Sequence, residues 1–188
     1  MYTVNSSPGP EADEHRARQR LVRVLLTMVI VGFAAFWIWA LFFASKEAVN
    51  RIDDRAWASR GEQICLEATE LRLELADLRT IVDAGPEMIR ERAAIIDNAT
   101  EILDDMIDDL VAVTPTDLKG QEIVPLWEAD YRIYLQDRRN FTEELRRTGE
   151  NLPFYETKVR AIPISEKIAT FAVDNEMPSC APPYDLTR

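Results

Sequence analysis

The chain has 188 residues, of which 47% are hydrophobic and six are glycine, and its net charge at neutral pH is −11. This length and composition predict one folded domain with an appendage. Residues 1–44 contain four Arg against three Asp or Glu, so the residues after them carry a net charge of −12. Because such an acidic domain repels phosphate backbones, we expect no nucleic acid partner.

An apolar run begins at Val24 and ends at Ala44, and Thr27 is its only conventional polar side chain. As a helix the run would be about 31 Å long, which matches the roughly 30 Å hydrocarbon core of a bilayer. It is too long for the apolar region of a cleaved signal peptide, and Phe42 stands where a cleavage site needs a small residue. We therefore predict an uncleaved transmembrane signal anchor over residues 21–44, with the lipid bilayer as its partner.

The two flanks of the anchor differ in charge. On the C-terminal flank, Lys46 and Arg51 are interleaved with acidic residues, whereas the N-terminal flank is rich in arginine. Because the Arg-rich side of an anchor stays in the cytoplasm, residues 1–20 are predicted to be a cytoplasmic tail, disordered over 1–14. Residues 45–188 are then an extracytoplasmic domain. The flanking arginines are Arg16, Arg18, Arg20 and Arg23.

After Ser45 the apolar residues recur at helical spacing. Long helices joined by short turns favour antiparallel neighbours. The predicted fold class is therefore all-α: a single N-terminal transmembrane helix followed by an extracytoplasmic three- or four-helix antiparallel bundle. The predicted elements are a first helix continuous from the anchor to Gly85-Pro86, a second ending before Thr114-Pro115-Thr116, a third over about 121–148, an ordered loop over 150–164 and a short helix over about 165–175.

The same spacing predicts which side chains form the core. Aromatic residues at helical spacing on the third helix are interpreted as core residues in preference to a ligand pocket. The first seam is Ile64, Ala68, Leu71, Leu75, Leu78 and Val82. The second is Ile89, Ile96, Ala99, Leu103, Met106, Leu110 and Val113, and the third is Ile123, Trp127, Tyr131, Tyr134, Phe141 and Leu145.

The chain has two cysteines, Cys65 near the start of the first seam and Cys180 close to the C-terminus. In an oxidising compartment outside the cytoplasm, an even pair is expected to bridge. We predict an intramolecular disulfide that pins the proline-rich tail, residues 177–183, onto the first helix and stabilises the fold by about 4–5 kcal/mol. An intermolecular bridge and free thiols are the alternatives.

Catalytic signatures are scarce. The only histidine, His15, lies on the predicted cytoplasmic side. Without a histidine in the outer domain, a Ser-His-Asp triad, a Cys-His pair and a di-iron ExxH site are excluded there. The sequence also has no CxxCH haem motif and no Gly-rich phosphate loop. We therefore predict no catalytic residue, no metal ligand and no cofactor.

One acidic run, from Asp104 to Asp109, resembles the DDxxD motif of isoprenyl diphosphate synthases, whose aspartates hold Mg²⁺ against a diphosphate. The resemblance covers six residues, and the chain has neither a second aspartate-rich segment nor the length of that fold. The preferred interpretation is a solvated acidic face on the second helix, with weak adsorption of Mg²⁺ or Ca²⁺ as the alternative. This face comprises Asp97, Glu101, Asp104, Asp105 and Asp108.

Five arginines put positive charge on the third helix: Arg132, Arg138, Arg139, Arg146 and Arg147. We expect them to pair with the acidic face of the second helix, where each exposed pair contributes about 0–1 kcal/mol. An anion-binding groove along these arginines is the alternative.

Together these features predict an extracytoplasmic interaction module, an accessory or scaffold subunit of a bacterial cell-envelope complex. Its partner would be another membrane or envelope protein. The alternative is a ligand-binding or sensory helical ectodomain that acts through a partner membrane protein. An enzyme is the least supported class, because no catalytic group stands out.

Overall fold

The computed structural model describes residues 10–43, 48–75 and 85–186. The helical class is confirmed, with one small exception, an antiparallel hairpin in which Val159 lies opposite Ile162. The helices are α1 (Pro10–Phe42), α2 (Arg55–Glu74), α3 (Pro86–Val111), α4 (Leu118–Thr148) and α5 (Ile164–Asp174). The strands are β1 (Lys158–Val159) and β2 (Ile162–Pro163), and a 3₁₀ turn covers Pro178–Cys180.

The chain divides into two compact units, Met1–Glu47 and Ala48–Arg188. Within the first unit, the stretch Arg18–Phe42 of α1 has a mean hydropathy of 2.4 and is long and apolar enough to cross a membrane. No part of its most apolar window is buried, in contrast to the core helix of a soluble domain. The predicted transmembrane helix therefore has a counterpart of the right length and composition.

The start of α1 corrects the prediction of a disordered tail. Residues 10–14, predicted to be disordered, are helical, whereas the prediction for residues 1–9 lies outside the described residues. Pro10 is the first helical residue, and Glu11 and Asp13 follow it. Proline at the first position and acidic residues in the first turn both favour a helix start.

The predicted continuity between the anchor and the first outer helix is wrong. Residues 48–54 are not helical, and α2 begins at Arg55. The carboxylate of Asp54 accepts the backbone N–H of Trp57 at 2.9 Å and so caps α2. One turn earlier, Ile52 is buried and its N–H donates to the side chain of Asn175 at 2.9 Å. These tertiary partners replace the helical hydrogen bonds that a continuous helix would need.

The prediction of which residues the first outer helix buries is partly correct. Ala68 is buried, but Leu71 is 53% exposed, and Leu78 and Val82 lie outside the described residues. The buried face of α2 is rotated toward the chain's own C-terminal tail, and it comprises Trp57, Ala58, Gly61, Cys65 and Ala68. The prediction missed this face because the tail has no helical spacing, so the sequence pattern did not indicate that it covers α2.

Helices α3 and α4 are antiparallel neighbours. Asp97 pairs with Arg146, whereas Asp104, later in α3, pairs with Arg132, earlier in α4. Every predicted member of the α3 seam is buried except Val113, which lies beyond the end of the helix. The start of α4 is three residues earlier than predicted, because the side chain of Asp117 accepts the N–H of Gly120 at 2.7 Å and caps it.

The other end of α4 follows the sequence. Gly149 adopts the left-handed conformation with φ of 68°, and its N–H donates to the Leu145 carbonyl at 2.9 Å. Gly149 is therefore a glycine C-cap, the usual end of a helix in this conformation. Pro125 is the eighth residue of α4, where the ring removes one helical hydrogen bond.

The core has two parts joined by Phe154. Residues of α2, α4 and α5 form the larger cluster together with the C-terminal half of α3, and Phe154 packs against both clusters. The aromatic residues predicted for the core are buried and make edge contacts along α4, with ring centroids of Trp127 and Tyr131 5.4 Å apart. The smaller cluster is Ile89, Ala93, Ile96, Phe141, Leu145 and Leu186.

Candidate interaction groove

An open groove of about 580 Å³ lies where the first half of α4, the helix α5 and the β1–β2 hairpin meet. Its lining is mostly apolar. Trp127 and Phe171 are buried there and stack with ring centroids 5.1 Å apart, whereas Leu126 is 64% exposed and Ile162 is 50% exposed. The apolar lining residues are Ile123, Leu126, Trp127, Val159, Ile162 and Phe171.

The hairpin that forms one wall turns through two residues with positive φ, Arg160 at 52° and Ala161 at 68°. Two-residue hairpin loops require this left-handed conformation and favour Asn-Gly, since a Cβ atom there costs about 1–2 kcal/mol per residue. Such strain persists only where the surrounding structure holds it, and it is typical of binding sites. The turn is therefore the strained part of the groove.

Two carboxylates hold the hairpin at its base. Asp137 of α4 accepts the N–H of Thr157 at 2.7 Å and its hydroxyl at 3.1 Å. Glu156 accepts the N–H of Ser165 at 2.7 Å and its hydroxyl at 2.8 Å. Because Pro163 offers no side-chain cap, Glu156 supplies the cap of α5 from outside the helix. The sequence predicted a loop over 150–164 but neither of these contacts, because helical periodicity does not indicate contacts between residues in different elements.

The charged groups of the groove balance each other. Lys167 Nζ lies 2.6 Å from the Oδ2 atom of Asp130, whose side chain is nearly buried. Arg160 and Glu166 add one charge of each sign to the lining. The groove therefore offers apolar contact area with an electrically neutral set of polar groups, an arrangement suited to recognising apolar side chains.

The predicted disulfide between Cys65 and Cys180 is confirmed, and both residues are buried. It fixes the tail against α2, where Glu62 accepts the N–H of Ser179 at 3.0 Å and its hydroxyl at 2.6 Å. Gly61 permits this close approach, because a Cβ atom at that position would lie 2.9 Å from the sulfur of Met177. The disulfide and these tertiary contacts therefore both hold the tail against α2.

Arg138 departs from the predicted pairing with the acidic face. It is fully buried, and its Nη1 and Nη2 atoms donate to the two carboxylate oxygens of Asp185 in the tail at 2.7 and 2.9 Å. Its Nε atom donates to the Thr100 hydroxyl at 2.8 Å. Burial by itself lowers the pKa of Arg138, but the hydrogen bonds and charge of Asp185 outweigh it and raise the pKa. Sequence reasoning missed Asp185, since the tail has no periodicity.

Three of the other arginines pair with the acidic face of α3 as predicted. Arg132 pairs with Asp104 and Asp108, Arg139 pairs with Asp104, and Arg146 pairs with Asp97. The fourth, Arg147, instead pairs with Glu144 of its own helix.

Metal-binding geometry is not found among the residues that the structure describes, where no three His, Cys, Asp or Glu side chains converge. Asp104, which opens the run that resembles the DDxxD motif, has both carboxylate oxygens engaged by arginines. Asp104 therefore forms ion pairs between α3 and α4.

No family model matches this chain, and no curated protein and no solved structure is significantly similar to it. Its function is therefore inferred from α1, the groove and the tail.

Proposed function

We propose that the chain is a single-pass membrane-anchored interaction module, an accessory or scaffold subunit of a bacterial cell-envelope complex. The observation that carries the proposal is the open apolar groove, in which Leu126 and Ile162 expose half or more of their surface. Exposed apolar groups that line a concavity are typical of sites that bind a protein partner. The partner we propose is another membrane or envelope protein.

Three features support an extracytoplasmic location for residues 45–188. The helix α1 contains a stretch that is long and apolar enough to cross a membrane. The arginines on its N-terminal side favour a cytoplasmic N-terminus. The disulfide between Cys65 and Cys180 is the bond expected in an oxidising compartment.

A ligand-binding or sensory ectodomain is the second candidate, and the size of the groove favours it. A volume of about 580 Å³ lies within the range of roughly 300–1,000 Å³ that is usual for small-molecule sites. In that case the apolar lining would bind an uncharged or zwitterionic molecule, since Asp130 already pairs with Lys167. The signal would pass through a partner membrane protein.

Site-specific photocrosslinking in intact membranes tests the interaction proposal. A photoreactive amino acid in place of Leu126 or Ile162 is expected to crosslink one protein, identified by mass spectrometry. Leu66, an exposed leucine of α2 outside the groove, is the matched control position and is expected to give no such product.

Equal crosslinking from all three positions, or none from the groove, would contradict the interaction proposal. The ligand proposal predicts instead that an apolar compound raises the melting temperature of the chain in detergent. That stabilisation should disappear in the variant Trp127→Ala, which removes the aromatic side chain from the floor of the groove.

A further inference from the structure

The last described residues of the chain occupy a second site, which shares no residue with the lining of the groove. Residues 181–186 belong to no helix or strand. Pro182 and Leu186 are buried, and Leu186 joins the apolar cluster of α3 and α4. Between them, the carbonyl of Pro183 accepts the Tyr134 hydroxyl at 3.2 Å, and Asp185 pairs with Arg138. This segment therefore lies on the helices as a bound peptide would.

The Asp185 carboxylate interacts electrostatically with arginines of three helices, and one of them binds it directly. Arg138 of α4 binds it with both terminal nitrogens, and the charges of Arg72 of α2 and Arg92 of α3 also interact with it. Two guanidinium nitrogens in parallel are the usual recognition geometry for a carboxylate. The three helices thus build a carboxylate receptor, and the tail supplies its occupant.

Two buried polar atoms beside this receptor lack hydrogen-bond partners. These are the hydroxyl of Tyr131 and the Nε atom of Arg72. Among the described residues, no carboxylate lies within ion-pair distance of Arg72, whose Nη2 atom donates a hydrogen bond of 3.2 Å to the Thr69 hydroxyl. Burial lowers the pKa of Arg72, and the charge of Asp185 only partly opposes that effect. The single carboxylate of the tail therefore leaves the Nε atom of Arg72 and the hydroxyl of Tyr131 unsatisfied.

We propose that the Arg72–Arg92–Arg138 site is a receptor for an extended acidic peptide of a protein partner, and that the tail is its resident ligand in the free protein. The external peptide would place an aspartate on Arg138 and a following apolar side chain in the pocket of Leu186. The inference rests on the proposed function in one respect, that a protein partner supplies the peptide.

The disulfide sets the strength of the internal competitor. Asp185 is five residues after Cys180, which is bonded to α2. A short tether of this kind gives the tail an effective concentration in the millimolar range. An external peptide must therefore bind well or be abundant to displace the tail, while the rest of the domain stays locked.

Hydrogen–deuterium exchange on the full wild-type chain in detergent tests displacement. The probe is the peptide Pro-Pro-Tyr-Asp-Leu-Thr-Arg at millimolar concentration, and the control probe carries Asn in place of Asp. The acidic peptide is expected to speed exchange in residues 181–186 several-fold and to leave α5 unchanged, whereas the control peptide is expected to change neither segment. Unchanged exchange in the tail would overturn the proposal.

Fluorescence titration with the labelled acidic peptide provides a second measurement. The variant Asp185→Asn, with its disulfide intact, is expected to bind the peptide at least tenfold more tightly than wild type. Adding Arg138→Met to that variant is expected to abolish binding. Equal binding of wild type and Asp185→Asn, or of the acidic and control peptides, would overturn the proposal, and the exchange experiment decides it if the variant does not fold.

The two proposals fail separately. Crosslinks from Leu126 without displacement of the tail would support the interaction module and reject the receptor. Displacement of the tail without crosslinks from the groove would support the receptor and reject the groove as the docking site.

Discussion

Two aspartates tie the start of α2 to the turn between α3 and α4. Asp54 accepts the N–H of Trp57 at 2.9 Å, and it also accepts the N–H and hydroxyl of Thr116 at 2.9 and 2.7 Å. In return, Asp117 accepts the N–H of Asp54 at 3.0 Å and that of Gly120 at 2.7 Å. Each carboxylate therefore caps its own helix and also contacts the segment around the other cap.

The contribution of Asp54 to the stability of the domain is expected to depend on pH. Hydrogen bonds from Trp57 and Thr116 lower its pKa from 3.8 to about 2. A pKa that is depressed in the folded state contributes stability above the unfolded pKa, and that stability is lost as the pH falls from about 4 toward 2. We expect Asp54→Ala to lower the melting temperature by a few degrees at pH 7 and by much less at pH 2.

Thermal melts of the full chain in detergent, followed by circular dichroism at pH 7, 4 and 2, measure this difference. Asp53→Ala changes the exposed neighbour and is expected to shift the melting temperature little. An equal loss for Asp54→Ala at pH 7 and pH 2 would show that the carboxylate charge is not responsible.

The second prediction concerns the two partners of the buried ion pair. Asp185→Ala leaves a fully buried guanidinium without its carboxylate, which typically costs about 3–5 kcal/mol. Arg138→Met leaves Asp185, whose side chain is 33% exposed, in contact with water. We therefore expect Arg138→Met to cost less, about 1–2 kcal/mol.

Urea unfolding of both variants and wild type measures this order. A larger loss of stability for Arg138→Met than for Asp185→Ala would contradict the burial argument. Arg147→Met is the matched control, because Arg147 is exposed and its one ion-pair partner among the described residues is Glu144 of its own helix.

At the scale of elements, the hairpin is the place where local preference and fold disagree. Ala161 has φ of 68°, a conformation that glycine adopts without the Cβ penalty. We expect Ala161→Gly to stabilise the domain by about 1 kcal/mol. The same substitution at Ala129, an exposed residue within α4, should destabilise it by about 1 kcal/mol.

Unfolding free energies of the two variants test the strain directly, because the chemical change is identical and the expected signs are opposite. A loss of stability in Ala161→Gly would show that the turn is not strained. If the groove binds a partner through this wall, Ala161→Gly should also reduce crosslinking from Ile162, since a relaxed turn holds the wall less firmly.

The elements differ in how well the sequence predicted them, and the reason is periodicity. The α3 stripe is regular, so its buried residues from Ile89 to Leu110 were correct. The hairpin and the residues 48–54 have no regular spacing, and contacts with Asp137 and Asn175 determine their shape. Sequence reasoning therefore missed the wall of the groove while it identified Trp127 on its floor as a core residue.

At the scale of the whole molecule, the disulfide joins residues 115 positions apart. Replacing both Cys65 and Cys180 with alanine removes a long covalent loop, and we expect a loss of up to about 4–5 kcal/mol. Urea unfolding of the double variant and of oxidised wild type measures it. An unchanged midpoint would mean that contacts such as those of Asn175 and Asp185 constrain the tail equally well without the bond.

The orientation of the chain can be tested by labelling from outside the cell. We expect a membrane-impermeant maleimide to label Glu150→Cys, which is exposed on the domain, in intact cells. Ser7→Cys on the predicted cytoplasmic side should be labelled only after the membrane is permeabilised. Labelling in the opposite order would reject the extracytoplasmic location and with it the proposed function.

The sequence by itself determined the apolar stretch of α1, the helical class, the seam of α3 and the pairing of Cys65 with Cys180. Each of these depends on a local pattern or on a count of residues, and local physical chemistry is enough to read it. Tertiary structure alone decided the break before α2, the hairpin of Arg160 and Ala161, and the burial of Arg138 against Asp185. These features join segments far apart in the chain, so no local pattern encodes them, and they build both the groove and the carboxylate receptor.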